Sequence, residues 1–330
     1  MKRTIWLLLY VSFLGTSGCF ARNPIAKITL HVVNQNNTPV KDVQIVASFW
    51  GGRENIIKSP NEEGYISYLS PVLGDAVFNN ITHRTAHNPN ASDKYYATCL
   101  RHDYASPSKN VSGGRWVPWN PTVKMVLKEY VNPIPMYATG IKNRIELPAL
   151  NQWIGFDFEQ NDWIAPWGAG TFCDLEVKCT WNGIKGETYN GYQVEFRMMK
   201  PYAGMYPFVR DNTSGLQSPY HASASTDYQH QMVFYERRDE ATNRFSSNEF
   251  DLTKGLTFRT RTKVDDRGQL QSARYGKLYG VEGRLLQHVP GKPKMSITLA
   301  YYFNPTENDT NIEFDPEHNL LEHIRGHIEP

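Results

Sequence analysis

The sequence predicts an all-β chain: a small β-sandwich followed by a larger antiparallel β-sandwich domain. Three observations point there. Apolar and polar residues alternate with period two along most of the chain, and the alternating runs are short and stop at Gly, Asn, Pro or Asp clusters. Aromatic residues are plentiful, with 19 Tyr, 15 Phe and 8 Trp among 330 residues, which supplies bulk to fill the space between paired sheets. At roughly 100–200 residues per domain, the length suggests two domains with ample buried cores.

The first segment is an export signal over residues 1–18. Lys2 and Arg3 precede an apolar run from Ile5 to Leu14, and small residues follow. That run is too short to span the ~30 Å hydrocarbon layer as a helix. Thr16-Ser17-Gly18-Cys19 resembles a bacterial lipoprotein box, with Thr16 where that motif usually has Leu. The resemblance implies acylation of Cys19 and a membrane anchor; ordinary cleavage near Ala21 would instead discard Cys19 and leave a periplasmic or secreted protein. Without Lys2 and Arg3 the 35 basic residues fall to 33, equal to the 33 acidic ones. That balance excludes a strong overall pull toward nucleic acid or an anionic membrane.

Residues 24–131 read as the small sandwich. Ile28, Leu30 and Val32 alternate with Lys27, Thr29 and His31, and Val43, Ile45, Ala47 and Phe49 share the face of a second strand. Further strands are expected at 65–69, 95–100 and 122–128. The order of strands, with Pro39, Val40 and Val43 after a polar turn and Glu63-Gly64 before a third strand, resembles the carboxypeptidase regulatory-like, prealbumin-like sandwich of exported bacterial proteins. The resemblance implies an accessory or interaction module without catalysis of its own. Long polar inserts at 79–93 and 101–121 depart from that pattern.

Asn132-Pro133-Ile134-Pro135 is expected to be an extended linker. Residues 136–330 then form the larger domain. Cys173, Leu175, Val177, Cys179 and Trp181 alternate with Asp174, Glu176, Lys178 and Thr180, the clearest strand pattern in the chain. Strands are also expected through Tyr192–Met198, Leu256–Val264, Gln269–Leu278 and Met295–Phe303, and helix-like spacing over His318–Ile328. This domain resembles uncharacterised exported bacterial proteins with similar "FDFEQNDWIAPWGAGT" and "YYFNPTENDTNIEFD" stretches, a likeness that implies no activity. The loop at 211–231 is long for a compact β-domain, as functional loops often are.

Candidate sites follow from side-chain chemistry. Trp116, Trp119, Trp163 and Trp167, if exposed, would form a platform on which sugar rings stack, whereas buried they would be packing. Asp157, Glu159, Asp162 and Asp174 lie beside them; paired acids of this kind can hydrolyse a glycosidic bond, although solvated or ion-paired acids are the commoner outcome. Asp309, Asn311, Glu313 and Asp315 alternate as hard oxygen donors suited to structural calcium, or simply form turns. His83/His87 and His323/His327 have zinc-compatible spacing but lack further ligands nearby. Cys173 and Cys179 sit too far apart on one strand to pair with each other, and a bridge from Cys99 to either is left open. No G-x-S-x-G elbow, P-loop or dinucleotide fingerprint occurs.

Together these readings favour a non-catalytic cell-envelope protein that binds a glycan or another envelope component, with no resident cofactor and no nucleic acid partner. A carbohydrate-active hydrolase and a structural assembly subunit are the alternatives.

Overall fold

The computed structural model describes residues 27–49, 55–69, 78–84, 94–102, 122–181, 184–185, 188–189, 191–238, 242, 244–247, 253–287, 294–324, 328 and 330. The expected export signal, together with Cys19, Trp116, Trp119, His87 and His327, lies outside these residues. The chain is all-β, and no helix occurs among the described residues.

Seven strands build the first unit: β1 (Lys27–Asn34), β2 (Gln44–Phe49), β3 (Ile56–Lys58), β4 (Tyr65–Leu69), β5 (Phe78–Arg84), β6 (Cys99–His102) and β7 (Thr122–Leu127). They form one sheet in the order β4-β1-β7 and another in the order β3-β2-β5-β6. The β1–β7 pair is parallel, because the chain passes through the second sheet before returning beside its own start. Ile28, Leu30 and Val32 of β1 meet Val43, Ile45 and Ala47 of the region around β2, so alternation in both runs puts one shared core between the sheets. Tyr68 spans that core and donates its hydroxyl hydrogen to the Ile45 carbonyl at 2.6 Å. The turns are built as the residues dictate. Asn34 Oδ1 accepts from the backbone N–H groups of Asn36 and Thr38, and Gly64 takes a φ of +79° where a Cβ would lie 2.5 Å from the Val32 carbonyl oxygen.

The second unit contains β8 (Ile134–Ala138), β9 (Arg144–Glu146), β10 (Ile154–Asp157), β11 (Asp162–Trp163), β12 (Leu175–Trp181), the β13 (Ile184–Lys185) and β14 (Thr188–Tyr189) hairpin, β15 (Gly191–Arg197), β16 (Gly204–Val209), β17 (Gln231–Arg238), β18 (Phe245–Ser247), β19 (Lys254–Val264), β20 (Leu270–Gln287), β21 (Lys294–Phe303) and β22 (Phe314–Asn319). One sheet runs β11-β10-β12-β15-β17-β18, and the other β16-β19-β20-β21-β8-β22 with β9 also on β21. Every pairing is antiparallel except β8 with β22. Leu175, Val177 and Cys179 face Phe258, Ile297, Leu299 and Tyr301 across the inter-sheet core, as alternation expects, whereas Cys173 precedes β12 and is exposed, with Asp174 buried in its place. The larger sheet also carries a second apolar cluster on its outer face, with Met136, Ala138, Tyr279, Ala300, Tyr302 and Phe314. Consequently β21 is buried on both faces.

Two expectations change. The Pro-bearing segment at 132–135 is not a free linker: the backbone N–H groups of Val131 and Asn132 donate to the buried Glu313 carboxylate, and Ile134 already begins β8. The segment His318–Ile328 is not helical where described. His318 and Asn319 end β22, and Leu320–Ile324 lie in a turn. Asn319 fixes that strand by donating to the Ala138 carbonyl and accepting from the Ala138 N–H. The spacing of Leu321 and Ile328 serves two different clusters, one on each face of the sheet, rather than one helix stripe.

Candidate functional site

Three of the four acidic residues near the Trp-rich segment, Asp157, Glu159 and Asp174, converge on one arginine. β19 carries a bulge after Thr260, and Arg261 there adopts a φ of 51°. A bulge re-aims its side chain, and Arg261 reaches Asp157, Asp174 and Glu159 at 3.1, 2.9 and 2.7 Å. Asp157 Oδ1 also accepts from the Glu159 N–H, and Oδ2 from the N–H groups of Thr171 and Phe172. Asp174 Oδ1 accepts from Arg261 Nε and the Thr260 hydroxyl; Oδ2 accepts from Arg261 Nη2 and the Phe158 N–H. Counting also the Gln160 N–H and the Thr171 hydroxyl, each Asp157 oxygen holds three donors and each Asp174 oxygen two, which fills the capacity of a carboxylate oxygen.

Burial pushes the Asp157 carboxyl up, but the N–H groups of Phe172, Thr171 and Glu159 and the Arg261 charge outweigh it, leaving it below the usual range. Burial lowers Arg261 in the same way, and Asp174 and Glu159 more than reverse that. Asp162 is engaged separately, accepting from the N–H groups of Trp163 and Ala169 to shape the loop at 162–170. Asp157, Glu159 and Asp174 thus sit together, but as acceptors of a folding network with no oxygen of Asp157 or Asp174 left for a sugar or a water.

Trp163 and Trp167 do not share a surface. Trp163 is 4% exposed, stands edge-on to Phe156 at 5.1 Å and donates its indole N–H to the Glu146 carbonyl; Trp167 is 44% exposed. Trp163 belongs to β11, whereas Trp167 lies in the turn that follows it. Among the proposed calcium donors, Glu313 is buried and accepts from the Tyr96 hydroxyl as well as from Val131 and Asn132. Asp309 accepts from Asn304 and Asn311, and Asp315 from His318 and the Glu317 N–H. Among the described residues no three His, Cys, Asp or Glu side chains converge as a metal cage. No disulfide joins Cys99, Cys173 and Cys179, and burial pushes the Cys179 thiol up to about 12.

The outer face of the larger sheet holds chemistry that the sequence did not announce. Leu278 points into the inter-sheet core, so its neighbours Lys277 and Tyr279 point outward, beside Tyr302 on β21. Lys277 is completely buried there. Its Nζ lies 3.0 Å from Ser218 Oγ and over the rings of Tyr302 and Tyr279, at 4.7 and 5.1 Å from their centroids. Burial holds its pKa well below the ordinary lysine value; nearby Glu313 opposes this and Lys128 reinforces it. The Ser218 hydroxyl is equally buried, so the pair lies beneath the surface rather than in a cleft.

Above this layer opens a cleft of about 600 Å³, lined by the turn Gly140–Asn143, by Arg210, Gly215 and Gln217, by Tyr279 and Tyr302, and by His323, Ile324, Ile328 and Pro330. Arg210 donates through Nε and Nη2 to Gln217 Oε1 and through Nη1 to the Tyr279 carbonyl, and its guanidinium lies 5.1 Å from the Tyr279 ring centroid. The loop supplying Arg210 and Gln217 is pinned to the first unit: Gly215 donates to the Ala97 carbonyl and Cys99 to the Thr213 carbonyl. Of the cleft residues, His323 alone was a candidate from sequence; its Nε2 is 3.3 Å from Asn161 Nδ2. Strand alternation marks Lys277 and Tyr279 as sharing a face. It does not reveal that a distant loop and the chain end cover that face.

Comparison with models of protein families, with curated proteins and with solved structures finds no match to this chain.

Proposed function

We propose that this chain is a non-catalytic binding protein of the cell envelope, whose ligand is a glycan or another envelope component seated in the outer-face cleft. The observation that carries this reading is the cleft itself. Its volume of about 600 Å³ falls in the ~300–1,000 Å³ range of small-molecule sites, and its walls combine aromatic rings with a few polar groups. The signal-like start, the lipoprotein-box resemblance at Cys19 and the accessory-domain resemblance of residues 24–131 support an envelope location. The saturated oxygens of Asp157 and Asp174 favour binding over glycosidase chemistry.

Gly140 offers a direct test. A Cβ there would meet only Ile328 Cγ1 at 3.9 Å, so Gly140→Phe can fill the cleft without straining the backbone. Titration calorimetry against a panel of envelope oligosaccharides should show binding by the wild type and loss of it in this variant at unchanged melting temperature. Equal affinity in both proteins would remove the cleft as the binding site. For the anchor, labelled fatty acid should enter the wild-type chain in cells and fail to enter Cys19→Ser.

A further inference from the structure

Among the described residues, the charged side chains that line the cleft are Lys142 and Arg210. Arg210 is half-buried, and its partners among the described residues are neutral: an amide oxygen and a backbone carbonyl. Burial pulls its pKa down, as expected of a desolvated cation. Of the five guanidinium N–H groups, three are used by Gln217 and Tyr279, which leaves one on each terminal nitrogen. Gln217 and the Tyr279 carbonyl hold the group in place, so little rotamer freedom remains to be lost on binding. Beside it, Tyr279 and Tyr302 form part of the cleft wall, each almost fully buried.

We infer that the cleft takes a carboxylate-bearing sugar, a uronate unit of an acidic glycan, with the carboxylate on Arg210. The inference rests on the binding reading above and narrows it to an acidic ligand. A guanidinium with one N–H left on each terminal nitrogen suits a planar carboxylate with two oxygens. Lys142 at the mouth is exposed and adds charge without fixed geometry.

The test is titration of the full chain with oligogalacturonate, with its neutral methyl-esterified form, and with inorganic phosphate. Oligogalacturonate should bind, and esterification should abolish most of that affinity. Arg210→Gln should weaken it at least about tenfold, and the exposed Lys142→Gln about two- to fivefold with a shallower salt dependence. Melting curves show whether Arg210→Gln remains folded, and Lys142→Gln keeps the inference testable if it does not. Equal binding of the esterified form, still blocked by Gly140→Phe, would overturn the acidic-ligand inference and leave the cleft reading standing. Phosphate binding that depends on Arg210, with no uronate binding, would also overturn it. Binding of none of these, and of no other oligosaccharide, would sink both readings.

Discussion

Lys277 occupies a position that works against stability. Its amine has lost water and gained one hydroxyl partner and two ring faces, so its folded pKa falls well below 10.5. The sign follows from proton counts. Between the lowered folded value and 10.5 the unfolded chain binds a proton that the folded chain does not, so stability rises as pH is raised through that window. Lys277→Met should therefore stabilise the protein by about 1–4 kcal/mol near neutral pH. It should also flatten the rise, as read from urea melts at a series of pH values. A less stable variant with an unchanged slope would mean that the amine is well compensated. Arg261 is the opposite case. Arg261→Ala strands the buried carboxylates of Asp157 and Asp174 and should cost about 3–5 kcal/mol, visible as a large fall in the denaturation midpoint. Asp157 and Asp174 were legible in the sequence as acids near tryptophans. Their common partner was not, because Arg261 lies 104 and 87 residues further along the chain.

Strands were the most legible level, and the reason is the pleat: a sheet with one wet face writes itself as alternation. The runs at 28–32 and 175–181 show it, and their inward residues lie in or against the two cores. Legibility failed where a strand is covered on both sides. Ser296, Thr298, Ala300 and Tyr302 of β21 are all buried, although the first two look like solvent-facing positions. It failed again at 318–328, where apolar spacing near four residues reflects contacts with two separate clusters. Turns were legible through their chemistry, as Gly64 illustrates. Gly64→Ala forces a Cβ against the Val32 carbonyl at positive φ and should destabilise by more than about 1 kcal/mol, measured by thermal melting. A neutral result there would mean that the Asn61–Tyr65 turn can rearrange.

At the scale of the whole molecule, the two units are joined by buried polar contacts and not by a flexible tether. Glu313 accepts from Tyr96 of the first unit and from the backbone of Val131 and Asn132, while Lys128 donates to the Leu216 carbonyl and lies 3.3 Å from Asp211. Calorimetry of the wild type should thus show one cooperative transition. Glu313→Ala removes the acceptor of the buried Tyr96 hydroxyl, a loss of about 1–3 kcal/mol, and of the Val131 and Asn132 N–H groups, and should split the transition in two. A single sharp transition in that variant would assign the coupling to the loop at 210–222 instead. None of this junction is visible in sequence, because it depends on pairs of residues up to 217 positions apart. That separation has a consequence for the nascent chain. At ribosomal speeds of roughly 5–20 residues per second, Tyr96 is synthesised on the order of ten to forty seconds before Glu313 exists. During that interval the first sandwich can close its own core, yet the face meant for its neighbour stays open to whatever holdase or translocation partner is nearby.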